Sequence, residues 1–86
     1  SVALAERRTT PLQSPFELAK AQYERGRYAR SIELFGQAIA SNEGASVRTQ
    51  AYYYQGLAML ELGLYYSSFT AFQNVFQSGD TSNKAI

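Results

Sequence analysis

The sequence predicts an all-α fold in which two antiparallel helical hairpins stack side by side. The first observation is an internal repeat, in which residues recur unchanged thirty-seven positions later, among them Glu24 and Glu61, Gly26 and Gly63, Tyr28 and Tyr65, Ser31 and Ser68, Phe35 and Phe72. The second is that large apolar residues recur at three- and four-residue spacing, without the alternation that is typical of strands. The third is that glycine follows each periodic stretch, as at the ends of helices.

Composition limits the classes of function. A chain of 86 residues forms one small domain at most, and such a domain buries only about 60% of the surface that its unfolded form exposes. Apolar residues make up 45% and the net charge is +1, so disorder is not expected. Cysteine and histidine are both absent, which excludes thiolate nucleophiles, the common catalytic triads and most zinc sites. We therefore expect no enzymatic activity, no cofactor and no metal.

The first helix is predicted to begin at Ser14, whose side chain can cap, with Pro15 in the first position and Glu17 completing a capping box. It should end at Gly26. The second helix is predicted over 29–40, and one side of it carries an apolar stripe made of Ile32, Phe35, Ala38 and Ile39. A polar linker with one glycine follows at 41–46.

The third helix is predicted from Val47 or Thr49 to Leu62. Apolar residues lie nearly all round it, so it should pack on more than one side. The fourth is predicted over 66–77 and should stop at Ser78 and Gly79. Residues 2–8 are typical of the last turns of an earlier helix. Residues 80–86 are typical of a helix cap followed by the start of a further helix. These fragments indicate a piece of, or a unit completed by, something larger.

The repeat resembles the tetratricopeptide family, whose paired antiparallel helices stack into a right-handed superhelix. The matching units cover 12–45 and 49–82, with an extension at 1–11 and a tail or helix start at 83–86. Small residues stand where that family brings its paired helices closest, and glycine with an aromatic residue stands at each inner turn: Ala19 with Ser31, Gly56 with Ser68, Gly26 with Tyr28, Gly63 with Tyr65. Phe35 and Phe72 match its large aromatic position. The repeats are divergent, because the usual tryptophan is replaced by Pro15 and Tyr52 and the terminal proline by Glu43 and Asp80.

The resemblance implies a non-catalytic protein-protein interaction module, part of a larger scaffold, that binds a peptide or helix in a concave groove. The family forms this groove from the first helix of each pair. The positions that match it here are Phe16, Lys20, Tyr23, Tyr53, Tyr54, Leu57 and Leu60. A C-terminal carboxylate is not the expected ligand, since Phe16, Tyr54 and Leu57 replace several of the polar residues that hold it in chaperone-binding members.

A second surface follows from energetics. Two repeats alone would leave Phe72, Val75 and Phe76 of the last helix in water, at a cost of roughly 1.5–3 kcal/mol for each large side chain. Solenoids normally cover such a face with further units. We expect further repeats, a second copy of the chain or a partner's helix to cover it. The alternative functions are a structural spacer or a self-association module in a larger assembly.

Nucleic acid and membranes are not expected partners. The basic residues around the first turn, Lys20, Arg25, Arg27 and Arg30, are interspersed with acidic ones, as in an ordinary solvated surface. No apolar run approaches the roughly 20 residues that cross a bilayer, and no signal peptide is recognisable. The sequence does not distinguish the bacterial periplasm from the cytoplasm as the location.

Overall fold

The structure is a computed structural model that describes residues 13–84, with side chains described for 13–77. All regular structure in that part of the chain is helical, so the predicted all-α class is confirmed. The helices are α1 (Pro15–Glu24), α2 (Tyr28–Ala40), α3 (Ala45–Glu61) and α4 (Tyr65–Lys84). The helix fragment predicted over 2–8 lies outside the described residues, as do the last two residues of the chain.

The start of α1 has the capping box that the sequence predicts. The Ser14 hydroxyl accepts a hydrogen bond from the Glu17 amide at 3.2 Å, and the Glu17 carboxylate accepts one from the Ser14 amide, also at 3.2 Å. Pro15 occupies the first helical position, where the lack of an N–H group costs nothing. The N-terminus of α1 is therefore fixed by local sequence.

The turns after α1 and α3 are copies of each other. Gly26 has a φ of +77° and Gly63 a φ of +76°, in the left-handed region where glycine avoids a steric penalty. Matching backbone bonds close both turns: Arg27 N–H to Gln22 O at 2.9 Å, and Leu64 N–H to Met59 O at 2.8 Å. The repeat of thirty-seven positions in the sequence is thus also a repeat of backbone geometry.

Each helix packs on the next one along the chain, and α3 also touches α1. Helices joined by a glycine turn run antiparallel, because rising residue numbers on one meet falling numbers on the other: Phe16 with Phe35, Tyr23 with Tyr28, Tyr53 with Phe72, Gly56 with Ser68. We call α1 with α2 the first hairpin, and α3 with α4 the second hairpin.

Small residues are buried in both hairpins. Ala19 and Ser31 are fully buried in the first hairpin, and Ser68 is 1% exposed in the second. The Ser68 hydroxyl donates a hydrogen bond across the helix pair to the carbonyl of Gly56 at 3.1 Å. A Cβ atom at Gly56 would lie 2.6 Å from the ring of Phe72, so only glycine fits there without a shift.

Two predicted boundaries differ from the structure. The fourth helix does not stop at Ser78 and Gly79 but continues to Lys84, so the new helix predicted from residue 80 is wrong as well. A glycine inside a helix costs only about 1 kcal/mol, which is not enough to end it when the flanking residues remain helical. The second difference is the start of the third helix. The structure has α3 begin at Ala45, two residues before the predicted Val47, because Gly44 with its φ of +115° makes the turn.

Two glycines in helix interiors should respond oppositely to alanine. A Cβ atom at Gly36 would meet only the Gln55 amide nitrogen at 3.8 Å, so Gly36→Ala should stabilise the domain by up to about 1 kcal/mol through helix propensity. Gly56→Ala gains the same propensity but drives a methyl group into Phe72, a clash that costs about 1–3 kcal/mol. Urea unfolding should therefore find Gly56→Ala less stable than Gly36→Ala by about 1–3 kcal/mol. Equal stability of the two variants would show that Phe72 does not pack on Gly56.

Candidate functional site

Tyr54 of α3 lies in the space between the two helices of the first hairpin. Its ring is stacked on that of Phe35, with centroids 5.9 Å apart and an interplanar angle of 11°. It meets Phe16 edge-on at 6.3 Å and Tyr23 at 5.7 Å. One side chain of α3 therefore contacts both α1 and α2.

The next residue adds a polar bond to this contact. The side-chain amide of Gln55 donates a hydrogen bond to the backbone carbonyl of Ile32 in α2 at 3.2 Å. A helix carbonyl has a second lone pair, so it accepts this bond in addition to its place in the helix. We call the set formed by Phe16, Tyr23, Phe35 and the Ile32 carbonyl the first socket, and it is filled by Tyr54 and Gln55.

Three of the seven predicted groove residues belong to this packing. Phe16, Tyr23 and Tyr54 are half-buried and lie against the buried core cluster of Ala19, Leu34, Phe35, Ala38 and Ala51. A fourth covers it from outside, since Nζ of Lys20 lies 5.2 Å from the centroid of Tyr54 and 6.0 Å from that of Phe16. Cation-π contacts of this kind contribute about 0.5–1 kcal/mol at exposed sites. These residues hold the helices together.

The other predicted groove residues are more accessible. The side chain of Tyr53 is 46% exposed and that of Leu60 is 42% exposed, while Leu57 is half-buried. The Tyr53 ring touches the Tyr54 ring at 5.4 Å and the Phe72 ring at 6.1 Å. Tyr53 thus connects the filled first socket to the surface of α4.

The surface of α4 carries the most exposed aromatic side chains among the described residues. Of the three that the sequence singles out, Phe76 is 77% exposed, whereas Phe72 and Val75 are half-buried. Phe69 belongs to the apolar stripe that the sequence predicts for this helix but not to the predicted exposed face; it is 59% exposed and lines one open depression together with Phe72, Phe76 and two glutamines. The helical spacing of residues 69, 72 and 76, which share one side of the helix, already places Phe69 beside the other two.

The second hairpin repeats the positions of the first socket. Thirty-seven residues after Phe16, Tyr23, Ile32 and Phe35 stand Tyr53, Leu60, Phe69 and Phe72, and Ile39 corresponds to Phe76. We call Tyr53, Leu60, Phe69 and Phe72, together with Phe76 at their edge, the second socket; Ile39, the counterpart of Phe76, packs against the core cluster beside the first socket. Phe35 is fully buried beneath Tyr54, whereas four members of the second socket are more than 40% exposed. No described residue of this chain fills the second socket as Tyr54 fills the first.

Charge is distributed unevenly along the chain. Between residues 49 and 79 the only charged residue is Glu61, so the second socket itself consists of uncharged side chains. The basic residues near the first turn lie among acids, and Arg30 forms an ion pair with Glu33 on the surface.

Among the described residues, no group of three or more acidic, histidine or cysteine side chains lies close enough to hold a metal ion. Within the same part of the chain, no helix is both long enough and apolar enough to cross a membrane.

The comparisons with known proteins return no match: no family model, no curated protein and no solved structure is sufficiently similar to this chain. What the chain does is therefore inferred from its own residues and contacts.

Adjacent tyrosines should differ in their contribution to stability. Tyr54 contacts four aromatic rings, so Tyr54→Ala should lower the free energy of unfolding by about 2–4 kcal/mol. Tyr53 is nearly half exposed, and Tyr53→Ala should cost about 1 kcal/mol. Chemical denaturation of both variants measures the difference. A larger loss for Tyr53→Ala would contradict the packing described above.

Tyr23 should make stability depend on alkaline pH. Burial raises the pKa of Tyr23 above its ordinary value of about 10, and the nearby Tyr28 and Glu61 act in the same direction. Below pH 10 the hydroxyl is protonated in both states. Above it the unfolded chain ionises first, so folding stability is lost as the pH rises through the folded-state pKa.

Tyr23→Phe removes this contribution. Its free energy of unfolding, measured in urea at a series of pH values between about 9 and 11, should fall less steeply than that of the wild type. Parallel curves for the two proteins would mean that the Tyr23 hydroxyl titrates alike in the folded and unfolded chains.

Proposed function

We propose that this chain is a non-catalytic protein-protein interaction module built from two divergent tetratricopeptide-like repeats stacked as a right-handed solenoid. Its proposed partner is a helix or peptide of another protein. The single observation that carries the proposal is the exposed second socket, because the same positions in the first hairpin are packed against a helix.

The repeat assignment is supported by local geometry that recurs at the spacing of the sequence repeat. The two glycine turns share their φ values and their closing hydrogen bonds. Both hairpins also bury a serine of the second helix at equivalent positions, Ser31 and Ser68, and Ser68 bonds to the small residue Gly56 of the facing helix. These are the positions at which the tetratricopeptide family needs small side chains.

Exposed aromatic surface supports an interaction function. A large apolar side chain left in water forfeits roughly 1.5–3 kcal/mol of burial energy, and the second socket contains several. Contiguous apolar patches on soluble domains commonly mark binding sites, and aromatic residues are enriched at their centres. Phe69 and Phe76 are the most exposed members of this socket, at 59% and 77%.

The predicted groove then divides into two parts. Phe16, Tyr23 and Tyr54 support the helices from beneath, while Lys20, Tyr53, Leu57 and Leu60 are the residues proposed to touch the partner. Tyr53 and Leu60 belong to the second socket, so groove and socket form one continuous surface along α3 and α4. This continuity joins the two surfaces that the sequence predicts separately.

Self-association is the second candidate, and the uncharged second socket is the observation that favours it. A surface that carries no charge can meet a copy of itself without repulsion, as two-fold interfaces require. Further repeats in a larger scaffold, or a spacer role in an assembly, would cover the same side chains. Each of these alternatives predicts a different occupant of one surface.

Site-specific photo-crosslinking tests the proposal. A photoreactive phenylalanine analogue at position 76 should crosslink in the source cells to one protein of defined mass, because that side chain is 77% exposed in the second socket. The matched control is the same analogue at Leu18, an exposed position of α1 outside both sockets. Addition of Leu60→Asp to the position-76 protein should reduce the crosslinked product by tenfold or more. Equal labelling from positions 18 and 76 would contradict the proposed surface.

A further inference from the structure

The first socket, which is filled by α3, is a template for the ligand of the second socket. In the first socket, α3 contributes an aromatic ring that stacks on Phe35 and an adjacent amide that bonds to a helix carbonyl. Both contacts are made by consecutive residues, Tyr54 and Gln55. An aromatic residue followed by glutamine is therefore the pair by which this chain already docks a helix onto a hairpin.

From this template we propose that the second socket binds an amphipathic α-helix of a partner protein that carries an aromatic residue followed by an amide residue on its docking face. The inference rests on the proposed function, since it names the chemical class of the partner for the same surface. Phe72 would stack on the aromatic ring, as Phe35 stacks on Tyr54. The backbone carbonyl of Phe69 would accept the amide hydrogen bond, as that of Ile32 does from Gln55.

The geometry of the second hairpin is compatible with this mode of binding. Its turn matches the first in the φ of glycine and in each closing hydrogen bond to within 0.1 Å. Ser68 is 1% exposed, and Ser31 at the equivalent position is fully buried, so both hairpins are packed to the same depth there. Phe72 and Tyr53 are in ring contact at 6.1 Å, as Phe35 and Phe16 are at 5.9 Å. The turn and the ring contact therefore recur in the second hairpin, whereas Gln73 stands where the first hairpin has Gly36 beside the Gln55 amide.

The absence of charge in the second socket limits which side chains a partner can place against it. Neither a basic nor an acidic side chain stands among the five residues of the second socket. A charged group placed against it would lose hydration without gaining an ion pair, whereas an amide loses less and gains the carbonyl bond. The partner's docking face should therefore be uncharged, as it is at Tyr54 and Gln55.

The rim of the socket predicts a moderate affinity. Phe69 and Phe76 stand where the first hairpin has the smaller Ile32 and Ile39, and together with Tyr53 and Leu60 they could bury roughly 400 Å² of this chain's surface. An interface of roughly twice that total area lies at the small, transient end of the range for protein complexes. A dissociation constant in the micromolar range is expected for an isolated helix.

A second copy of the chain fits this socket less well than a partner helix does. In an intact copy, Tyr54 and Gln55 are already used within the first socket. The exposed aromatic side chain that precedes a glutamine on α4 is Phe76, but this residue also forms the rim of the socket. In a symmetric pair of copies it would have to act as rim and ligand at once.

A peptide from the chain itself provides the probe. Residues 45–61, held helical by a hydrocarbon staple between positions 46 and 50 and labelled with fluorescein, should bind the full chain with micromolar affinity in fluorescence anisotropy. Those two positions are exposed in α3, so the staple stays off the docking face. The Tyr54→Ala peptide should bind at least tenfold more weakly and the Gln55→Leu peptide about fivefold more weakly. The Tyr53→Ala peptide is the matched control and should bind within about twofold of the parent.

A variant of the chain locates the binding. Phe76→Asp with Leu60→Asp alters the second socket and leaves every residue of the first unchanged, so it should weaken peptide binding at least tenfold. Circular dichroism of the variant checks that it remains helical. Undiminished binding to the folded variant would place the peptide elsewhere, for example in the first socket after displacement of α3, and would overturn the inference.

Two further outcomes separate this inference from the proposed function. If no peptide binds while position 76 still crosslinks to a partner, the helix chemistry is wrong and the interaction surface remains. If light scattering shows a dimer that Phe76→Asp dissociates, the occupant is a second copy, which overturns the inference. If peptide binding, crosslinking and self-association are all absent, both the inference and the proposed function are wrong.

Discussion

The ring of Tyr54 lies among the rings of Phe16, Tyr23 and Phe35, and there it joins a helix of the second hairpin to both helices of the first. The helices within a hairpin are connected by short glycine turns, which keep them adjacent in any case. The two hairpins are connected only by the segment between Ala40 and Ala45. Their mutual position therefore depends on side-chain contacts, and the Tyr54 ring with the Gln55 hydrogen bond supplies the central ones.

Small residues make these contacts available. Gly56 lets the Phe72 ring lie against the backbone of α3, and Ser68 donates its hydroxyl proton to the Gly56 carbonyl, so α3 and α4 are close enough to form one surface. That surface repeats the first socket in residue spacing and in the geometry of its turn. The repeat thus produces both the cohesion of the domain, where a socket is filled, and its proposed binding surface, where the equivalent socket is open.

Local signals in the sequence predicted most of the fold. The capping box at Ser14 and the glycine turns at Gly26 and Gly63 depend on neighbours a few residues away, and all three are present. The end of α4 was mispredicted because a serine and a glycine weaken a helix without ending it. The site was harder to predict, since Tyr53 and Tyr54 are chemically identical neighbours. Only the packing of α3 on α1 and α2 separates the half-buried ring of Tyr54 from the exposed ring of Tyr53, and partner binding by either stays a prediction.

A double-mutant cycle between Phe35 and Tyr54 tests most directly whether the stacked pair joins the hairpins. Leucine at each position, singly and together, keeps apolar volume and so favours folded variants. Aromatic pairs contribute about 0.5–1.5 kcal/mol beyond the area that they bury, and the cycle should give a coupling free energy of that size. A coupling close to zero, with losses that simply add, would contradict the account, because the two rings would then act independently.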